Sequence, residues 1–355
     1  MGSVTATGRV GRLPAFARRP LLLGAAGLVA LCAALVAGVA LGNVSIAPGD
    51  TLALLAHHLL GWPITVSWPA SAETIILELR VPRVLTAMGT GVALALAGAT
   101  FQGLLRNPLA DPYVLGTASG AALGAAVAML VPIHLALLGF GLMHLLAFGG
   151  ALVAVAIVYR LSRLGELNSL TSVLLTGYAV GSLLAAGLAL TMYLSGSHLR
   201  QIFFYLLGSF SLSSWQQLVI GLPVIAVGSV VVISRARSLN AFLLGEEAAA
   251  HLGLNVRRER LLLLGAATLI TAAAVAMSGL IGFVGLVVPH LVRLVVGPNA
   301  RLLLPLSALF GASFLAFADL VARMPGELPV GIVTAVVGAP FFLYLLRRYR
   351  AGYEL

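Results

Sequence analysis

Apolar runs long enough to cross a bilayer recur along almost the whole chain, near residues 21–41, 84–105, 113–131, 136–158, 172–193, 216–234, 302–321 and 328–346. A further run, 261–296, is too long for one crossing at about 1.5 Å per residue. It contains Ser278-Gly279-Leu280-Ile281-Gly282-Phe283-Val284-Gly285, which interrupts a helix, and Pro289 suits the first turn of a new one. Read as two spans, the second short, this run brings the count to ten. The expected fold class is an all-α membrane protein of ten transmembrane helices with both termini cytosolic. Composition agrees, since 60% of the 355 residues are hydrophobic and 9% are charged, values that no soluble domain carries.

Charge placement supports the count. All 21 basic side chains are arginine, and with the N-terminus inside only Arg80, Arg83, Arg200 and Arg323 fall outside. That asymmetry is the one the positive-inside rule expects. A single span over 261–296 would move Arg347, Arg348 and Arg350 outside and spoil it. Arg9, Arg12, Arg18 and Arg19 precede the first run as in a secretory signal. The run is long for a signal core and its exit at Gly42-Asn43 offers no cleavage site, so it reads as an uncleaved span. The expected organisation is a cytosolic arm (1–20), a ten-span membrane domain (21–348) with a polar segment at 235–260, and a cytosolic tail (349–355). The formal charge of +10 is spread through loops beside spans. It serves topology and anchoring to anionic membrane lipid, not nucleic acid. Cys32 is alone in an apolar run, which excludes a disulfide and a cysteine-built metal site.

An internal repeat is expected. Shifting the sequence by 181 positions pairs Thr90 with Thr271, Gly98 with Gly279, Pro108 with Pro289 and Gly116 with Gly297, among eight matches in 27 positions. The first copy starts on an inward-running span and the second on an outward-running one. Spans 2–5 and 7–10 would then form an inverted repeat, the arrangement of many alternating-access machines.

Several chemistries are missing. Without lysine no Gly-Lys-Ser/Thr phosphate loop exists. The eleven acidic residues lie in loops or near span ends, Asp319 close to the outer end of the ninth span, so a coupling ion has no obvious seat. Neither His-Glu-x-x-His nor Gly-x-Ser-x-Gly occurs. A transporter lacking both fuels must take its energy from a partner. The polar stretch 238–254 offers the handle: Leu244-Gly245-Glu246-Glu247-Ala248-Ala249-Ala250-His251-Leu252-Gly253-Leu254 reads as a short helix ended by glycine, with Ser238 and Asn240 as N-caps.

At this point the motifs become specific. Glu78-Leu79-Arg80-Val81-Pro82-Arg83, Phe101-Gln102-Gly103-Leu104-Leu105-Arg106-Asn107-Pro108-Leu109-Ala110-Asp111-Pro112, Gly279-Leu280-Ile281-Gly282-Phe283-Val284-Gly285, Asp319 to Arg323 and Glu327 to Phe342 resemble the membrane subunits of iron-chelate, haem and cobalamin ABC importers, the FecCD family. The resemblance covers about 45–348. It implies a homodimer around a central pathway, two cytosolic ATPase subunits that bind ATP and magnesium, and one periplasmic substrate-binding protein. This chain would hold no cofactor or metal and would not be an enzyme. Gly245, Glu246, Glu247, Ala250, Leu252 and Gly253 match the family's ATPase-coupling element, and Arg80, Arg83 and Arg323 match positions that dock the binding protein. By the same likeness the fifth span lines the pathway. Ser169, Leu170, Thr171 and Ser172 form its gate, with Thr176 and Gly177 above, although Leu170 departs from the small hydroxyl residues common there.

The expected function is thus the permease of a bacterial inner-membrane importer for a ferric siderophore or haem, with cobalamin the third candidate. The alternatives are an ion-coupled secondary transporter working without an ATPase, and a membrane scaffold for an enzyme complex.

Overall fold

The computed structural model describes residues 20–350 apart from 43, 45, 64–67, 134–135, 138–139, 165–169 and 325. Most of the expected N-terminal arm and the end of the tail lie outside the described residues. The helices are α1 (Pro20–Ala40), α2 (Pro48–Leu60), α3 (Ala70–Thr74), α4 (Val81–Leu104), α5 (Thr117–Leu130), α6 (Leu142–Leu164), α7 (Leu170–Leu194) and α8 (Leu199–Leu206). They continue as α9 (Trp215–Ser234), α10 (Ala236–Leu243), α11 (Glu246–His251), α12 (Val256–Ser278), α13 (Val284–Val296), α14 (Ala300–Arg323) and α15 (Val330–Arg350). A π-helical turn, Ile75–Arg80, joins α3 to α4, and a 3-10 turn, Pro112–Leu115, precedes α5. A short antiparallel ladder pairs Ala136 with Gly141 and Leu137 with Phe140.

Seven described stretches are long and apolar enough to cross a membrane: Pro20–Ala40, Ala70–Leu104, Leu142–Ser162, Ser172–Leu194, Trp215–Ser234, Val256–Ser278 and Ala300–Arg323. Three shorter apolar helices, Thr117–Leu130, Val284–Val296 and Val330–Leu345, stand where the other three expected spans fall. The 13 residues of α13 reach about 20 Å, short of a hydrocarbon core of about 30 Å. Seven full-length stretches and three with shorter apolar parts stand at the ten expected positions, with α13 short as expected and α15 continuing past its apolar part to Arg350.

The long run 261–296 divides as expected. Gly279 (φ 70°) ends α12 and Phe283 (φ 69°) turns the chain into α13. Pro289, expected in a first turn, instead falls inside α13. A proline lacks the N–H that would bond the carbonyl four residues back, which strands Gly285 O. Gln102 of α4, 2% exposed, repairs this: its Nε2 donates to Gly285 O (3.3 Å) and Leu286 O (3.2 Å). Arg293 Nη1 donates to Gln102 Oε1 at 2.8 Å. An internal proline is tolerable here because another helix supplies the missing donor.

Helix α4 is the central post, packed on α14, α12, α13 and α9. Without a hydrophobic drive between helices in lipid, close approach depends on small residues. A methyl on Gly98 would overlap the Gly285 carbonyl, and one on Gly91 the Gly311 carbonyl. Helices α4 to α7 have 24, 14, 23 and 25 residues and α12 to α15 have 23, 13, 24 and 21. The same long, short, long, long order recurs. The residue pairing at 181 positions does not hold, since Gly98 is mid-helix whereas Gly279 caps α12, and Pro108 lies in a turn whereas Pro289 is inside α13. Insertions between elements shift the register while element order persists.

Candidate functional sites at the two ends of α4

At one end of α4 lies the polar segment. Ser238 and Asn240, expected as N-caps, sit within α10. Asn240 Nδ2 donates to Asn299 Oδ1 (2.9 Å) and its Oδ1 accepts from Ala300 N (2.7 Å), tying α10 to the start of α14. The N-cap of α11 is Gly245, whose φ of 106° suits a residue without Cβ. The chain leaves α11 through Gly253 at φ 82°. Glu246 pairs with Arg260 of α12, and Arg235 Nη1 with Glu259 Oε1 at 3.0 Å. Thus α10 and α11 are fastened to two different helices, α14 and α12. Glu247, Ala250 and Gly253 are exposed, as are Leu244 (69%) and Leu252 (65%). Of the six expected coupling residues, four form this open face, Glu246 anchors it and Gly245 shapes it. Arg106, just past α4, lies beside Gly245.

In the turn after α4, Asp111 Oδ1 accepts from Tyr113 N at 2.8 Å, and burial pushes the carboxyl up to about 6 against that hydrogen bond. The Tyr113 hydroxyl donates to Ile281 O at 3.0 Å, inside the break between α12 and α13.

The other end of α4, about 36 Å away, carries the arginines. Sequence reasoning expects them to face outward, yet Arg80, Arg83 and Arg323 are 5%, 8% and 4% exposed. Arg80 Nη1 donates to Val39 O (3.0 Å) and Ala40 O (2.9 Å), and its Nη2 donates to Val44 O. Arg323 Nη2 donates to Gly38 O at 3.0 Å. The last carbonyls of a helix lack internal donors and carry partial negative charge. These two arginines therefore cap the end of α1. Arg83 makes a bidentate pair with Asp319, Nε to Oδ1 (3.1 Å) and Nη2 to Oδ1 (3.0 Å), with Nε also 3.2 Å from Oδ2. Arg323 Nε lies 3.2 Å from Asp319 Oδ2. The remaining Arg83 nitrogen, Nη1, reaches Glu327 Oε1 at 3.2 Å, and the Glu327 side chain is 48% exposed. Asp319 and Glu327, which the sequence marked only as an acidic residue near a span end and as motif residues, are the partners it did not assign to these arginines. Asp319 lies 236 positions from Arg83, and no local spacing signals the pair.

Among the expected pathway residues, Ser169 lies outside the described residues, and Leu170 and Thr171 open α7. Ser172 and Thr176 are half-buried. Gly177 is turned away from the open side: a methyl there would meet Val114 O at 2.6 Å, so this glycine admits the turn before α5. The open face of α7 carries Leu175, Tyr178, Leu183, Leu190 and Tyr193, 60–85% exposed. Small side chains, Ala179, Ser182, Ala185, Ala186 and Ala189, share that exposed face with the large ones.

Among the described residues no three His, Cys, Asp or Glu side chains converge as a metal site would require.

Comparison with known proteins matches this architecture. The model of the FecCD transport family aligns with residues 29–348. The cobalamin import system permease protein BtuC of Halobacterium salinarum is 42% identical over 328 residues, covering 88% of each chain. The hemin transport system permease protein HmuU of Yersinia pestis is 43% identical over 281 residues, 78% of this chain and 84% of that one. A solved inward-facing structure of a metal-chelate type ABC transporter superposes with a TM-score of 0.80 at 30% identity, covering 93% of this chain and 99% of that one. A helical bundle of this order, matched along nearly its whole length, makes the chain a member of the FecCD transport family.

Proposed function

We propose that this chain is the membrane permease of an ABC importer that carries a metal chelate, ferric siderophore or haem, with cobalamin the third candidate, across a bacterial inner membrane. The observation that carries the reading is the α10–α11 lever. It presents Leu244, Glu247 and Leu252 outward while bonding to α14 and α12 behind. A push on that face is transmitted to two spans on either side of the break at Gly279–Phe283. The partner doing the pushing is an ATPase subunit, one per permease copy, which supplies the ATP and magnesium chemistry. Two copies of this chain meet across the open faces of α7, whose large side chains are 60–85% exposed within one chain. Ser169 to Ser172, with Thr176, gate the pathway between them. Alternating access then follows from the two four-helix sets rocking against each other as an inverted repeat. Similar identity to haem and cobalamin permeases leaves the cargo to the binding protein.

The test is co-purification with the cognate ATPase followed by reconstitution. Wild-type protein is expected as a complex of two permeases and two ATPases. The double variant Glu247→Arg, Leu252→Glu is expected to lose about tenfold or more of the bound ATPase, since a buried apolar anchor and a charge pair each contribute on the order of 1–3 kcal/mol at an interface core. Undiminished assembly would sink the lever, and uphill uptake by the permease alone would establish the secondary-transporter reading.

We further infer that the binding protein docks at the arginine end by displacing Glu327, whose side chain is 48% exposed, from Arg83 Nη1. Glu327→Gln removes that competitor. The complex should tighten by about two- to fivefold, the worth of one such ion pair. Titration of the binding protein on nanodisc-held importer measures it, and weaker or unchanged binding refutes it.

A further inference from the structure

One cavity is used by none of these functions. About 730 Å³ in volume, it opens between α6 and α12 beneath α11. Its walls are mostly aliphatic, with Leu152, Val155 and Ala156 on α6 and Leu261, Leu264 and Gly265 on α12, interrupted by Tyr159, Ser162 and Thr268. Its mouth is charged, with Arg257 and Arg260 against the single carboxylate of Glu246. Arg257 is exposed and takes part in no hydrogen bond or ion pair among the described residues.

We propose that this cavity binds one anionic phospholipid, an acyl chain between α6 and α12 and the phosphate on Arg257 and Arg260. The occupant must be amphipathic, because aliphatic walls lead to a mouth with one uncompensated positive charge. Guanidinium forks suit phosphate oxygens, and a zwitterionic headgroup would bring its own cation to the same mouth. A small soluble anion would satisfy the arginines but leave the walls wet, which forfeits the apolar contribution. The volume lies within the usual range for a ligand cavity of roughly 300–1,000 Å³. Access is lateral: Val153, Ile157 and Leu161 of α6 are exposed apolar neighbours, so the cavity continues a surface already suited to acyl chains. Because Arg260 is also the anchor of Glu246, a bound phosphate competes with α11 for the same guanidinium. Occupancy therefore loosens the lever from α12.

The experiment is native mass spectrometry of the delipidated full chain titrated with phosphatidylglycerol or phosphatidylcholine. One phosphatidylglycerol per chain is expected, held about tenfold more tightly than phosphatidylcholine, as one or two charge-assisted phosphate bonds provide. Arg257→Glu should lower that affinity about tenfold. Gly265→Trp, whose new side chain meets open space, should lower it as much by filling the cavity. Ala156→Phe does the same from the opposite wall should the first variant fold poorly. Equal affinity for the two lipids, or phosphatidylglycerol binding within about twofold of wild type in Arg257→Glu and in a folded cavity-filling variant, overturns the proposal. Displacement by equimolar glycerol 3-phosphate overturns it too, and assigns the arginines to a soluble anion.

Discussion

Asp319→Ala is expected to cost about 3–5 kcal/mol, because it leaves two buried guanidinium groups facing each other with no charge between them. The side chains of Arg83, Arg323 and Asp319 are 10%, 4% and 1% exposed, so water cannot replace the lost carboxylate. Removing one member of such a set costs far more than the set contributes against an apolar equivalent, since desolvation of the survivors is no longer offset. The damage should spread: Arg83 and Arg323 are also held to Glu327 and Gly38, which tie α4 and α14 to the loop before α15 and to the end of α1. Thermal unfolding of the purified protein in detergent should show a midpoint lower by several degrees. Asp319→Asn, which retains an acceptor oxygen but no charge, should fall between. A midpoint equal to wild type would mean that the arginines reach solvent after all. The same geometry makes charge reversal of Arg80, Arg83 and Arg323 a poor probe of docking, since that variant would lose the cap of α1 before it lost any partner.

Gly98→Val is the second large effect. A side chain at this position meets the carbonyl and Cα of Gly285, backbone atoms that cannot rotate aside. Helices α4 and α13 must separate, and overpacking alone costs about 1–3 kcal/mol. Separation also pulls Gln102, one turn further along α4, from Gly285 O, the carbonyl freed by Pro289, leaving a buried acceptor unpaired at a further cost of about 1–3 kcal/mol. The expected result is loss of monodisperse protein on size-exclusion chromatography. Gly265→Ala is the control: it sits in a helix facing open space, and alanine there should be neutral or stabilising by up to about 1 kcal/mol. Equal behaviour of the two variants would show that glycine at 98 is not required for close packing.

Both effects depend on contacts that no local pattern reveals. The break in the 261–296 run was legible because Gly279, Gly282 and Gly285 interrupt an apolar stretch too long for one helix. The donor that makes Pro289 tolerable was not, because Gln102 is 183 positions from Gly285. The α10–α11 segment was legible as a polar interruption, with Gly245 and Gly253 bounding α11. Asn240 was misread as a cap because its partners, Asn299 and Ala300, arrive from another helix. Gly177, expected above the gate, packs against Val114.

What the amino-acid sequence determined alone is the solvent of this protein: which stretches face lipid, where the chain is polar, and to which family its motifs attach it. A bilayer acts on composition, and composition is readable one residue at a time. The tertiary structure decided what each polar group does. Arg80 caps α1 from 40 and 41 positions away, and Asp319 is neutralised from 236 positions away. In a low-dielectric interior a charge is tolerated only beside its partner, and which partner comes within 3 Å is settled by the packing of helices, not by their order along the chain.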